Sequence, residues 1–172
     1  MAINHPKAGP NYVPAYQVSG IPYVTSSVAS EVPCADTNNA SLPVKVAFPY
    51  VTKFVTVRNT GINGLRVGFT PDGVIAPGER RATVDADKGL TGTRNYFLVP
   101  TGSSGAHGDV AGSIQTFEVR CKEIHFLSNA AKNASPAAAE RCTSFTLLAG
   151  LTNIQSLQFP LLTGSNGFEG VG

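Results

Sequence analysis

Hydrophobic and polar positions alternate with a period of two through the middle of the chain. In residues 51–58, valines alternate with threonine, phenylalanine and arginine, and in residues 65–70 Leu, Val and Phe alternate with Arg, Gly and Thr. This alternation is typical of half-buried β-strands. Between the two segments, Asn63-Gly64 suits the positive φ angles of a tight turn. The pattern therefore predicts that the two strands form a hairpin.

Other strands are predicted on both sides of this hairpin. The longest signal covers residues 114–128, where the apolar side chains change from one face to the other, so we predict a β-bulge near Lys122-Glu123. In the helix-compatible stretch 129–141, Pro136 leaves room for one short turn at most. The remaining strand candidates, rich in β-forming residues or bounded by turns, are residues 21–29, 82–84, 95–99 and 144–148. About seven short strands without a repeat predict an all-β sandwich or barrel.

Both ends of the chain are rich in Gly and Pro. Residues 1–20 are predicted to form an extended N-terminal arm, and residues 21–172 a single domain that includes an apolar C-terminal tail from residue 151. Two interpretations of the apolar side chains at the ends stay open. They either fold back on the sandwich or contact neighbouring subunits. The aromatic residues concerned are Tyr12, Tyr16, Phe159 and Phe168.

The composition favours extensive contact with other protein. Of the 172 residues, 14% are charged, against about 25% in an average globular protein. The net charge is +2, and the densest basic pair, Arg80-Arg81, is followed by Asp85 and Asp87, so no basic patch for direct nucleic-acid binding is expected. No apolar run is long enough to span a membrane. The N-terminus lacks a secretory signal, which predicts synthesis in a cytosol-like compartment.

The three cysteines of the chain are Cys34, Cys121 and Cys142. Their number is odd and no CxxC spacing occurs, so a zinc site would have to recruit distant histidines. In a protein made in a reducing compartment, such residues are usually small buried apolar side chains. We therefore predict three reduced thiols and no disulfide framework.

The sequence offers little that resembles a catalytic or metal site. His5, His107 and His125 are far apart and form no His-x-His pair, so metal binding is not expected. His125 should face away from its apolar neighbours Ile124 and Phe126. The loop that contains Ser103, Ser104, His107 and Asp109 has the composition of a triad, but a Gly/Ser loop lacks the fixed geometry that a triad needs.

Other candidate groups are equally weak. Asp85 and Asp87 could approach a cation from one strand face, but two carboxylates alone make a poor site. The sequons at Asn39 and Asn133 are treated as chance matches. No phosphate-binding glycine loop occurs. We predict no catalytic, cofactor-binding or metal-binding residues and no enzymatic activity.

Several strings resemble the small single-jelly-roll capsid proteins of large icosahedral double-stranded DNA viruses. The resemblance covers the chain from about residue 12 to its end. The strings are residues 19–27 (SGIPYVTSS), 48–59 (FPYVTKFVTVRN), 65–70 (LRVGFT), 95–97 (NYF), 144–151 (SFTLLAGL) and 159–172 (FPLLTGSNGFEGVG).

This resemblance implies a single jelly-roll sandwich of two antiparallel four-stranded sheets. The eight strands are one more than the pattern predicts, and residues 44–48 (VKVAF) would be the missing strand. Because 172 residues are too few for the double jelly roll of a major capsid protein, the implied role is the penton, a pentamer at the five-fold vertices. Its partners would be neighbouring major-capsid capsomers and minor capsid proteins, and its location the virion, assembled in the host cytoplasm. Two alternatives stay open, a minor cement capsid protein and a jelly-roll carbohydrate-binding module, although Trp, a frequent sugar platform, is absent.

Overall fold

The computed structural model describes residues 20–27, 32–35, 43–61, 63–71, 73–75, 95–101, 113–131 and 143–159. In these ranges the protein is all-β, as predicted, with one turn of 3-10 helix at Ser156–Gln158. The nine strands are β1 (Ile21–Ser26), β2 (Cys34–Ala35), β3 (Val44–Ala47), β4 (Tyr50–Asn59), β5 (Leu65–Gly68), β6 (Phe97–Val99), β7 (Ile114–Phe117), β8 (Glu123–Ala131) and β9 (Phe145–Gln155).

The strands form two sheets. The first sheet has the order β1-β9-β4-β7 and is antiparallel throughout. In the second sheet β8 pairs with β5 and β5 with β6, both antiparallel. The other edge of β8 is shared by antiparallel β3 and parallel β2. The second sheet thus contains a fifth, two-residue strand that the sequence analysis did not anticipate.

The pairing is nested along the sequence. Strand β5 pairs with β6, β4 with β7, β3 with β8, and β1 with β9. Each strand of the first half of the domain therefore meets a strand of the second half, in reverse order. Because these pairs join distant parts of the chain, the sheets depend on long-range contacts more than on local turns.

The core lies between the two sheets. Strand β4 contributes Val55 and Val57, which are completely buried, while Thr56 between them points outward. Across the core, the ring of Phe126 on β8 stacks on that of Phe145 on β9, with centroids 4.1 Å apart. Full burial of side chains of this size stabilises the fold by about 1.5–3 kcal/mol each. The aromatic stack directly links the two sheets.

The predicted hairpin of residues 51–70 is wrong. Both segments are strands, but β4 belongs to the first sheet and β5 to the second, so the chain between them turns a corner. The physical reason is that the inner faces of both sheets require the same period-two alternation. The pattern identifies each strand and its buried face but not the strand with which it pairs.

The predicted β-bulge within a single strand at 114–128 is also wrong. The chain leaves the first sheet after β7, crosses through residues 118–122 and enters the second sheet as β8. Thr52 on β4 holds this crossover, since its backbone N donates to Cys121 O at 3.0 Å and its Oγ1 accepts from Cys121 N at 3.0 Å. The change of apolar face therefore marks a change of sheet.

The remaining strand predictions differ from the structure mainly in length. Strands β1, β3 and β6 lie within the predicted segments, whereas β9 extends to Gln155, through what was predicted as the start of the tail. Residues 129–131 of the predicted helical turn belong to β8. The arm at residues 1–19, the strand at 82–84 and the rest of the predicted turn lie outside the described residues.

Candidate functional site

Three ionisable side chains meet on the outer face of the second sheet. His125 on β8 is buried, and its Nε2 lies 3.4 Å from Glu123 Oε1. Lys45 on the adjacent β3 places its Nζ 3.9 Å from Glu123 Oε2. As predicted, His125 is on the opposite face from Ile124 and Phe126, which belong to the core.

The contact between Lys45 and Glu123 has the character of a surface ion pair, whereas His125 beneath it is buried. Lys45 is more than half exposed, and exposed pairs of this kind contribute at most about 1 kcal/mol. Within the described part of the chain, no three His, Cys, Asp or Glu side chains are arranged to hold a metal ion. The other groups considered from the sequence lie outside the described residues; they are His5, Asn39, Asp85, Asp87, Ser103, Ser104, His107, Asp109 and Asn133.

Arg66 is a buried arginine that the sequence analysis did not single out. It is on the outer face of β5, where its Nε donates to Asn129 Oδ1 at 3.0 Å and its Nη1 to Val74 O at 3.2 Å. Its guanidinium lies 4.8 Å from the centre of the Tyr96 ring. Val74 also packs on Leu127 of β8. The outer face of the second sheet is therefore covered here by the chain's own segments.

A buried polar cluster closes the corner between β4 and β5. Asn59 donates through Nδ2 to Asn63 O at 2.9 Å and to Val99 O at 3.1 Å, and its Oδ1 accepts from Gly61 N and from Thr143 Oγ1, each at 3.0 Å. Asn59 itself is completely buried. These bonds join the ends of four chain segments, so the cluster is structural and positions β6 and β9 relative to the corner.

The prediction of three reduced thiols is wrong. Cys34 is disulfide-bonded, whereas Cys121 is free and buried. The chain's remaining cysteine, Cys142, lies outside the described residues, but its sequence neighbour Thr143 pairs with Val32, two residues before Cys34. Val32 and Thr143 are therefore adjacent in the fold although they are more than a hundred positions apart in the sequence. The spacing of the cysteines in the sequence does not reveal such contacts.

Burial raises the pKa of the Cys121 thiol to about 11, and the negative charge of Glu123 adds to this effect, while a hydrogen bond with Thr52 opposes it. The unfolded thiol ionises near pH 9.0, so above that pH the unfolded state loses its proton first. We therefore expect this thiol to lower the free energy of unfolding as pH rises from about 9 to 11, by up to about 2–3 kcal/mol.

Urea unfolding of the wild type and of Cys121→Ala between pH 9 and 11 measures how much the ionisation of this thiol changes the free energy of unfolding. The variant lacks the thiol and serves as the control for every other titrating group. The free-energy difference between wild type and variant should shrink as the pH rises. A difference that is constant with pH would contradict the assignment.

Uncharged apolar side chains are exposed on the first sheet and at its edges. On the outer face, Val24 of β1 pairs with Leu148 of β9, and Leu148 in turn pairs with Thr56 of β4. At the opposite edge of the sandwich, β7 and β6 carry further exposed large apolar side chains, Ile114, Phe97 and Leu98. This face and these edges are the parts of the described surface best suited to contact other protein.

Phe159 was one of the end residues for which two interpretations stayed open. It is half-buried and packs against Val51 and Ile154, and its carbonyl accepts a hydrogen bond from Lys122 Nζ at 3.3 Å. For this residue, contact with its own sandwich is therefore confirmed. Tyr12, Tyr16 and Phe168 lie outside the described residues.

No protein-family model, curated protein or solved structure matches the chain. Among the described residues, no helix has the length and apolar character needed to cross a membrane.

Proposed function

We propose that the protein is a non-catalytic structural subunit of an icosahedral capsid, with a jelly-roll fold, that assembles as a pentamer at the five-fold vertices. The nested strand pairing supports the fold. With the short β2 set aside, the eight remaining strands pair first with eighth, second with seventh, third with sixth and fourth with fifth. A long antiparallel hairpin rolled into two four-stranded sheets has this order, and that is the arrangement of a jelly roll.

The surface supports a structural role. The observation that carries the proposal is the set of exposed apolar side chains on the outer face of the first sheet, Val24, Leu148 and Ile114. Monomeric proteins rarely leave contiguous apolar surface open to water. The resemblance of the sequence strings to single-jelly-roll capsid proteins gives the kind of assembly, a vertex ring in contact with neighbouring capsomers in the virion.

Such a subunit works through its shape. Five identical wedges close a ring when each makes the same contact with its neighbour after a fixed rotation. In this proposal the sandwich is the wedge, and the buried side chains between its sheets and the Phe126–Phe145 stack would keep the sheets together. In the ring, the loops at one end would face outward and those at the other end would face the capsid interior.

Native mass spectrometry of the full chain at micromolar concentration tests the proposal. We expect a species close to five times the chain mass of 17.9 kDa. Light scattering over a dilution series should show the pentamer giving way to monomer without a stable dimer. A monomer at every concentration would contradict the vertex pentamer, and glycan-array screening would then test the carbohydrate-binding alternative.

A further inference from the structure

We propose that Cys34 and Cys142 form a disulfide, and that this cross-link makes the stability of the fold depend on the redox state of its surroundings. Cys34 is disulfide-bonded. The chain has three cysteines, and Cys121 is a free thiol buried in the core. Within one chain, Cys142 is therefore the cysteine that is left as the partner of Cys34. This inference stands independently of the proposed function.

The backbone brings the segments of the two cysteines together. Val32 lies two residues before Cys34 and forms a bridge with Thr143. Thr143 directly follows Cys142 in the sequence, and its O accepts from Val32 N at 3.3 Å. A disulfide joins cysteines whose Cα atoms are about 4.4–6.8 Å apart, so it requires two segments in contact. Although Cys142 lies outside the described residues, the bridge beside it provides this contact.

The segment that contains Cys34 connects the two sheets. On one side, Cys34 pairs with Ser128 of β8, in the second sheet, and Pro33 O accepts from Ser128 N at 3.0 Å. On the other side, Val32 bridges to Thr143, two residues before β9 of the first sheet. Strand β2 has two residues and an irregular register. Because so short a strand contributes few backbone hydrogen bonds, a covalent bond here strengthens the junction between the sheets.

The cross-link joins distant parts of the chain. Cys34 and Cys142 are more than a hundred residues apart, and the loop between them contains the pairs β3–β8, β4–β7 and β5–β6. Closing so long a loop removes conformational freedom from the unfolded chain and stabilises the fold. In an unfolded chain, bringing such distant thiols together costs entropy. We therefore expect folding to come first and to place the two thiols side by side.

Thiol–disulfide exchange with a small disulfide, such as oxidised glutathione, forms the cross-link. One cysteine thiolate attacks oxidised glutathione, which yields a mixed disulfide and one glutathione thiolate. The second cysteine thiolate then attacks the mixed disulfide and releases the other glutathione. The two cysteines lose two electrons and two protons in total, and oxidised glutathione becomes two reduced molecules. A reducing cytosol therefore keeps both thiols free, whereas oxidising surroundings cross-link them.

Cys121 is a thiol that takes no part in this exchange. Its side chain is buried, and its Sγ lies 3.4 Å from Thr52 Oγ1. Burial raises the pKa of this thiol to about 11, so it stays protonated at neutral pH, and only the thiolate attacks a disulfide. Substitution of Cys121 therefore provides a matched control, since it removes a cysteine and leaves the cross-link intact.

Peptide mapping of the full chain tests the linkage. The protein is equilibrated with oxidised glutathione, unfolded in the presence of an alkylating reagent without reductant, and digested for mass spectrometry. We expect a peptide pair that links Cys34 to Cys142, together with alkylated Cys121. An alkylated Cys34, or a link from Cys34 to Cys121, to glutathione or to a second chain, would overturn the inference.

Thermal unfolding of oxidised protein, and of protein kept in dithiothreitol from expression onward, tests the role of the cross-link. Reduction should lower the Tm of the wild type by roughly 4–16 °C, and that of Cys121→Ala by the same amount. Cys142→Ala should unfold near the Tm of the reduced wild type under both conditions. A linkage whose reduction leaves the Tm unchanged would overturn the redox dependence. A decrease that persists in Cys142→Ala would overturn the assignment of the partner.

Discussion

Replacing Gly61 with alanine is expected to destabilise the protein by about 3 kcal/mol, the upper end of the usual cost of overpacking. A Cβ at this position would lie 2.6 Å from Ser144 N and 2.7 Å from Thr143 Cα, and it would also clash with Thr143 Oγ1. Two of these three atoms belong to the backbone of the segment that leads into β9, so they cannot rotate away. To accept the methyl group, the corner and β9 must separate, which would disrupt the hydrogen bonds of Asn59 with Gly61 and Thr143.

Thermal unfolding measures this effect. For a chain of this length each kcal/mol lowers Tm by about 2–4 °C, so a decrease of roughly 6–12 °C is expected. Gly20→Ala is the matched control, because the nearest atom to its added Cβ is Asn153 Oδ1 at 3.8 Å, an ordinary contact. Equal Tm values for the two variants would show that the corner is not packed as described.

Strand positions were predictable from the sequence where one face of the strand is buried. In β4 the alternation of Val55 and Val57 with outward residues marks the buried face, and burial in the structure follows the same alternation. The all-β class followed from several such segments. Local patterns carry this information because each side chain's burial depends on the face of its own strand.

The pairing of the strands was not predictable in the same way. Asn63-Gly64 suggested a hairpin, yet the turn joins two sheets, since β4 lies between β9 and β7, both from the second half of the chain. Likewise the apolar face change near Lys122-Glu123 was visible, but it reflects the passage from β7 to β8. Both errors arise because turn residues specify local bending and not the sheet that the next strand joins.

The side chains of the candidate site also divide into those whose position the sequence predicts and those whose position depends on contacts outside their own strand. The sequence indicated that His125 faces away from the core, and it does. It gave no sign that Arg66 is buried by Val74, eight residues further along the chain, and by Tyr96, because these contacts come from segments outside the strand and do not follow its period. The disulfide of Cys34 was missed for a similar reason. Contacts of high sequence separation leave no periodic signal.

The exposed apolar residues gain significance only when the fold is known. Val24 and Ile114 are unremarkable β-formers in the sequence, and isolated surface apolar residues are common. In the fold they lie on the outer face of one sheet, at its two opposite edges, in strands without charges. The low charge content of 14% predicted contact with other protein, and the fold identifies the surfaces that are available for it.

Truncation of Phe126 to alanine is expected to cost about 3–5 kcal/mol, comparable to the largest single effects in protein cores. The side chain is completely buried, and its ring stacks on Phe145 with an interplanar angle of 23°. Removal of the ring leaves a cavity between the two sheets. Because backbone hydrogen bonds within each sheet hold the strands in register, the cavity cannot collapse fully. Urea unfolding measures the loss, with Leu157→Ala, at an exposed position, expected to change stability by less than about 0.5 kcal/mol.

A double-mutant cycle with Phe145→Ala shows whether the stack links the sheets. Because each single truncation already removes the ring–ring contact, the double variant should lose less stability than the sum of the two singles. Residues in direct contact typically couple by about 0.5–3 kcal/mol. Purely additive losses would mean that each ring is stabilised by its own sheet alone, and that the stack does not link the two sheets.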